Sequence, residues 1–231
     1  MPRKVLITQS NYIPWKGYFD AMALVDLVIL YDDVQYTRRD WRNRNCIKTL
    51  AGLKWLSIPV AVKGRPRQAV KDVRIADPRW ARRHWETLRH AYRAAPAFAE
   101  VKDWLEALYR TADDTFLSAL NHRFLSAIND FLGIRTPMRF SMEFQLEGDR
   151  TGRLVHLCRQ VGATDYYTGP AARAYLEEDK FAAAGIRVHY LDYSGYPEYP
   201  QLHGPFEHHV SIVDLLFHTG KQAPRYMKYV Q

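Results

Sequence analysis

Apolar residues along this chain follow two rhythms. KVLIT at 4–8, DLVILY at 26–31 and WLSIPVAV at 55–62 are short continuous apolar runs of the kind that form strands covered on both faces. Between the first two, YFDAMALVD has the length of a short crossover helix, so the opening of the chain predicts a strand-helix-strand unit with parallel strands. The third run is expected to extend the same sheet. From residue 78 the period lengthens: Trp80, His84, Leu88 and Tyr92 recur every four residues, while Arg82, Arg83, Arg89 and Arg93 fall elsewhere on the helical wheel. A second helix is predicted over roughly 97–110. A third follows Asp113 and Asp114, whose carboxylates suit a helix N-terminus, carries Phe116, Leu117, Leu120, Phe124, Ile128 and Phe131 on one stripe, and stops at Gly133. After Pro137 the strand-like runs return as MRFSMEFQ, DYYTG and IRVHYL, separated by helices near 151–161, ending at Gly162, and near 173–184, ending at Gly185. Asp192 to Pro205 reads as an ordered loop, and HHVSIVDLLFHTG as a closing helix with a glycine terminator.

These elements predict an α/β fold: a Rossmann-like parallel sheet with helices on both faces and a helical insertion after the third strand, at about 78–135. With 231 residues, one domain spanning 1–231 is expected. The N-terminus lacks the apolar core of a signal peptide and no window approaches a membrane span, so a cytoplasmic protein is expected. Cys46 and Cys158 form neither a metal-spaced nor a disulfide-rich pattern, and the adjacent His208 and His209 diverge on a helix, so no metal is expected. The net charge of +8 is uneven: residues 36–93 hold sixteen Lys and Arg against four Asp and Glu. Such a field attracts anions, among them nucleotide diphosphates and acidic carrier proteins, although a solvated basic surface without a partner has the same composition.

Candidate chemistry concentrates in two segments that should emerge at the carboxyl ends of the first two strands, where open α/β sheets bind ligands. QSNYIPWKGYFD at 9–20 offers Gln9, Asn11 and Tyr12 for hydrogen bonding and Trp15 and Tyr18 as flat faces. In YDDVQYTRRDWRNRNCIK at 31–48 nearly every side chain is polar, charged or aromatic, a density that packing alone does not require. A surface loop in which Asp32 and Asp33 pair with Arg38, Arg39, Arg42 or Arg44 is the alternative to a ligand site. His84 faces the apolar side of its helix; it is either a hydrogen-bonded core histidine or an acid/base group, if that helix caps the site.

These segments, with WLSIPV, YYTGPAARAYL at 166–176, EYPQ and FEHHVSIVDLLFHTG, resemble the WbqC-like protein family in order and approximate spacing. Ser10 stands where the family usually has Pro, and Met142 occupies a Ser-like position. The resemblance implies a role in the biosynthesis of O-antigen and other bacterial surface polysaccharides. The matching positions are Gln9, Asn11, Tyr12, Pro14, Trp15, Gly17, Tyr18, Asp32, Asp33, Gln35, Arg38, Trp41, Asn43, Arg44, Asn45 and Lys48, then Tyr167, Gly169, Tyr175, Tyr199, Gln201, Ser211, Asp214 and Gly220. A fainter resemblance places Trp15–Tyr18 where nucleotidyltransferase-like proteins carry a His-x-Gly-His turn, with Gly17 allowing a phosphate to approach the backbone.

Two readings follow. In the first, the chain is an enzyme that transfers an acyl or aminoacyl group from a thioester donor, on a carrier protein or CoA, to a nucleotide-linked amino sugar. Arg38, Arg42, Arg44 and Lys48 would hold a diphosphate or phosphopantetheine; Trp15, Tyr18 or Trp41 would stack on a ring. Asp32 or Asp33 would be the general base, and Asn43 and Asn45 would face an oxyanion. In the second, it is a binding module for nucleotides or nucleic acid; the absence of a recognised nucleic-acid motif in the basic stretch disfavours nucleic acid as a partner.

Overall fold

A computed structural model of the protein describes residues 3–230, so Met1, Pro2 and Gln231 at the ends of the expected domain lie outside the described residues. Strand β1 (Lys4–Thr8) leads through helix α1 (Lys16–Ala23) to β2 (Leu27–Leu30), and the two strands pair in parallel. With β5 (Met138–Phe140), β6 (Asp165–Thr168) and β7 (Arg187–Tyr190) they form a five-stranded, all-parallel sheet in the order β5-β2-β1-β6-β7.

Both faces of this sheet are covered, which is why its central strands carry no polar alternation. Leu6, Val28 and Leu30 point into a core shared with α1, α2 (Trp80–Tyr92), α3 (Phe98–Arg110), α4 (Leu117–Leu132) and α7 (Ile212–Thr219). Val5, Ile7, Leu27 and Ile29 point the other way, onto Leu154, Leu157 and Cys158 of α5 (Arg150–Gln160) and Phe181 of α6 (Glu178–Ala183). On α2, Trp80, Leu88 and Tyr92 are buried and Arg82, Arg89 and Arg93 exposed, as the wheel requires.

The third apolar run does not join the sheet. Residues 52–57 form β4 (Gly52–Ser57), which pairs antiparallel with β3 (Arg44–Thr49) in a separate hairpin. The turn is set by Gly52 at φ +100°; on β4 Leu56 faces the core while Leu53 and Trp55 face out, whereas β3 is covered on both faces, with Cys46 and Lys48 buried as well as Asn45 and Ile47. Three other expectations also change. Asp113 and Asp114 do not cap α4; they pair with Arg123 at 3.2 and 3.1 Å, and Phe116 holds the N-cap position. The helix expected near 173–184 is split into a 3-10 turn at Pro170–Ala174 and the shorter α6. The closing helix starts only after Ser211, whose hydroxyl accepts the Val213 N–H, so His208 and His209 precede it.

Two fully buried carboxylates tie the C-terminal segment down. Asp20 of α1 accepts the backbone N–H groups of Lys228 at 2.6 Å, Tyr229 at 2.7 Å and Val230 at 3.3 Å. Asp214 of α7 accepts the Tyr92 and Tyr199 hydroxyls and the Gln201 amide, each at 2.8 Å. Each is a buried charge made tolerable by several donors.

Candidate functional site

Because all five sheet strands run in parallel, their carboxyl ends share one edge. Numbered along the chain within the sheet, the order is 3-2-1-4-5, so the direction of winding reverses between β1 and β6. At such a point the loops leave in opposite directions and open a crevice. Here the reversal falls between the loop after β1, at 9–15, and the turn after β6, at Gly169.

The long segment after β2 folds back over the β1 loop. The Ser10 N–H donates to Asp32 Oδ1 at 2.9 Å, the Tyr12 N–H to the Trp41 carbonyl at 3.1 Å, and the Asn45 amide to the Tyr12 carbonyl at 3.1 Å. Arg42 donates to Asn11 Oδ1. That bond uses the Asn11 oxygen and leaves its NH2 group free to donate. Gln9, Asn11, Trp15, Asp33, Arg42 and Gly169 are all partly exposed in the segments that follow β1, β2 and β6. Tyr18 is buried; its hydroxyl donates to the Gln9 carbonyl at 2.8 Å and is pushed well above the ordinary phenol range by burial, with Asp32 adding to the shift.

The two acidic candidates sit differently. Asp32 has no exposed surface, and its second oxygen accepts the Ser118 hydroxyl from α4, so it acts as the rivet between loop, β1 and helix. Asp33 is partly exposed and accepts Lys71 Nζ and the Ser141 hydroxyl, both at 2.5 Å. The bond from Asp33 raises the Lys71 pKa, keeping the ammonium charged beside the edge.

Trp15, just before α1, packs edge-on against Tyr193 and Tyr196 with ring centroids 5.1 and 5.5 Å away. The indole lies over Gly17 so closely that a Cβ there would overlap three of its atoms. The glycine expected to admit a phosphate admits the indole instead.

Other sequence candidates lie in the interior. Tyr12 is wholly buried between His84 and Tyr109. His84 Nε2 lies 3.2 Å from the Ser57 carbonyl, which can only accept, so Nε2 carries the proton and Nδ1 accepts the Tyr12 hydroxyl at 2.9 Å. Burial lowers the His84 pKa to about 4. Asn43 spans the Tyr36 hydroxyl and the Ile58 carbonyl, and Asn45 spans Cys46 N–H and Tyr12, so both amides are engaged by the protein. Lys48 donates to Gln201 Oε1 at 2.8 Å and to the Gly204 and Pro205 carbonyls; with Tyr199 and Gln201 it belongs to the Asp214 network. Tyr167 stacks on His189 at 4.7 Å. Gln35, Arg38, Trp41 and Arg44 lie on the outer flank, where Gln35 and Arg38 donate to the Pro66 and Val62 carbonyls and Arg44 to that of Arg39.

Several polar groups at the edge escaped the sequence reading. Ser118 and Asn121 are polar positions on the buried side of α4, and that break in an apolar stripe was the available signal. Asn121 donates to Ser10 Oγ and the Arg42 carbonyl, while its own oxygen is buried without a partner. His122, next to it, is half-buried against Phe140 at 5.0 Å; its pKa is lowered by burial, against the raising effect of Glu143 and Asp32. Among the described residues neither of its ring nitrogens has a hydrogen-bond partner. Lys16 is buried behind Trp15, donating to the Pro197 carbonyl at 2.7 Å beneath Tyr196 and Tyr199, and burial lowers its pKa to about 8.

A groove of about 410 Å³ lies at the opposite edge of the sheet, lined by Val25, Ile134, Pro137 and Tyr229. Asp26 and Arg135 are its only charged lining groups, and no strand carboxyl end reaches it. Among the described residues there is no group of three or more His, Cys, Asp or Glu placed to hold a metal, and no helix is long and apolar enough to cross a membrane.

Comparison with known proteins agrees with the resemblance read from the sequence. The chain is 51% identical over 227 residues to uncharacterized protein Rv1507c of Mycobacterium tuberculosis (strain ATCC 25618 / H37Rv), covering 98% of each chain. No solved structure matches. The family model for WbqC-like proteins matches residues 9–226, which take in the crevice loops, the helical block and the C-terminal network alike. The chain therefore belongs to the WbqC-like protein family.

Proposed function

We propose that this protein is an enzyme of bacterial O-antigen or related surface-polysaccharide biosynthesis, which binds a nucleotide-linked amino sugar along the carboxyl edge of the sheet and transfers an acyl or aminoacyl group to its amine. The observation that carries this reading is the joint presence, at the point where the winding reverses, of unspent donors on Gln9 and Asn11, of the Arg42 guanidinium that holds Asn11 and Asp40, and of an aromatic wall of Trp15 and Tyr193. From β6 to β5 the edge spans three strand spacings, about 14 Å. That is the scale of a nucleotide diphosphate sugar, with the base against Trp15 and the diphosphate at Arg42. The sugar then reaches Lys71, Asp33, Ser141 and His122.

In this reading the amine attacks the carbonyl carbon of an acyl thioester, borne by an acidic carrier protein or CoA. A C–N bond forms, the C–S bond breaks, and the amine's proton passes through the base to the departing thiolate. His122 is the base the geometry favours, since its nitrogens are free and burial keeps it neutral at pH 7, whereas Asp33 is held by Lys71 and Ser141 and serves to orient them. The free NH2 of Asn11 takes the oxyanion role first assigned to Asn43 and Asn45. Nucleotidyl transfer is the weaker reading, because the turn at 15–18 offers an indole over Gly17 rather than a bare backbone for a phosphate.

Isothermal titration with UDP- and dTDP-linked amino sugars tests the reading. Arg42→Ala should weaken binding by roughly 1.5–3 kcal/mol, the worth of one charge-assisted hydrogen bond, with the fold retained. Equal affinity in the variant, or no binding of either nucleotide sugar to the wild type, contradicts it.

A further inference from the structure

The hairpin that failed to join the sheet carries four of the eight large apolar side chains that stand exposed among the described residues: Trp41 at its base and Leu50, Leu53 and Trp55 along it. Leu53 and Trp55 are two residues apart on β4 and share its outward face. Trp41 leans on Trp55 with ring centroids 5.4 Å apart, and the Arg44 guanidinium lies 4.2 Å over the Trp55 ring. Leu50, at the turn, is 85% exposed. Clustered apolar exposure of this kind marks an interaction site.

Its surroundings are cationic. From 36 to 67 the chain has nine Lys and Arg and a single acid, Asp40, which pairs with Arg42. Arg39 is exposed beside the apolar patch, its carbonyl accepting from the Arg44 side chain that lies over Trp55, and Arg38 next to it is exposed as well. An apolar, aromatic centre with an arginine rim is the anatomy of a protein interface, and the partner it complements bears an apolar ridge flanked by carboxylates. A single-stranded nucleic acid fits less well. Trp55 has one face under a guanidinium and Trp41 tilted 39° against it, leaving no slot for a base, and exposed leucines at the hairpin tip have no counterpart in a stacking platform.

We propose that the β3–β4 hairpin is the docking surface for an acidic protein helix, that of the carrier which delivers the thioester. This deepens the reading given above and rests on it only for the carrier's role, not for the docking itself. The hairpin and the site share one segment: Trp41 is on the patch and Arg42, the next residue, holds Asn11 at the crevice. A carrier seated on the patch would present its prosthetic arm toward the sheet edge.

The test uses the full chain and two synthetic helical peptides of identical composition, one with its leucines on a single face between glutamates, the other scrambled. Binding is read by fluorescence anisotropy without any nucleotide sugar present. The patterned peptide should bind at least tenfold more tightly than the scrambled one, and Leu53→Ser with Trp55→Ser should remove that preference, while Arg39→Glu weakens it severalfold. Circular dichroism confirms that the variants fold, and unchanged nucleotide-sugar affinity in the same variants separates failure of the docking surface from failure of the site. Equal binding of the two peptides overturns the proposal. So does tighter binding of oligo-dT that the same variants abolish, which would make the patch a nucleic-acid surface, or self-association of the wild type that they abolish, which would make it a dimer face.

Discussion

Gly17 shows how a single position can be read correctly for its need and wrongly for its reason. The sequence context calls for a residue without a side chain, and the structure agrees, but the space is filled by the indole of Trp15. Gly17→Ala should therefore push Trp15 away from Tyr193 and Tyr196, destabilise the protein by about 1–3 kcal/mol, and change its near-ultraviolet circular dichroism. An unchanged spectrum and melting temperature would show that the indole has room to spare. His84 illustrates the converse. A histidine on an apolar helix face is legible as buried, yet whether it serves chemistry depends on what its nitrogens touch, and here they touch Tyr12 and Ser57. In the folded protein His84 stays neutral down to about pH 4, whereas in the unfolded chain it titrates near the ordinary histidine value. Between those values the unfolded state binds the extra proton, so stability rises with pH and is lost as pH falls from about 6.5 toward 4. The linked change is about 3 kcal/mol. Chemical denaturation at pH 7 and pH 4.5 should show a smaller pH effect in His84→Gln than in the wild type; equal effects would mean that His84 is not the titrating group.

Among elements, those that pack on the sheet were legible because their period is dictated by burial: β1, α1, β2 and the α2–α4 block fall where the apolar spacing puts them. The β3–β4 hairpin was not, since a continuous apolar run looks the same in a sheet strand as in a hairpin whose apolar side chains point outward. Asp32 is the residue that makes separate elements one site. Its carboxylate joins Ser10 after β1 to Ser118 on α4, a contact between distant parts of the chain that no local pattern encodes. Asp32→Ala should cost roughly 3 kcal/mol, for two hydrogen bonds to a buried charge. It should also speed amide hydrogen exchange at Ser10 and across 31–43, while β6 and β7 keep their protection. Uniform loss of protection, or none, would show that the loops are held by something else.

At the scale of the whole molecule, the sheet order sets the reversal point, and the long segment after β2 folds over the loop beside it. The density of polar and aromatic residues at 9–48 pointed to this region, but it also included side chains that only fasten the hairpin and the C-terminal segment to the rest, among them Asn43, Asn45 and Lys48. Composition cannot separate a donor spent inside the protein from one left for a ligand; only the hydrogen-bond pairing does, and at this edge it singles out Gln9 and Asn11, with Arg42 holding Asn11 in place. Whether the reversal point between β1 and β6 binds the proposed ligand is read from backbone amide chemical shifts mapped during titration with a UDP-linked amino sugar. The largest changes are expected at Ser10, Asn11, Arg42 and Gly169, extending to Ser141 and His122. Changes confined to Val25, Ile134 and Tyr229 at the opposite edge, or an absence of any change at saturating ligand, would contradict that expectation.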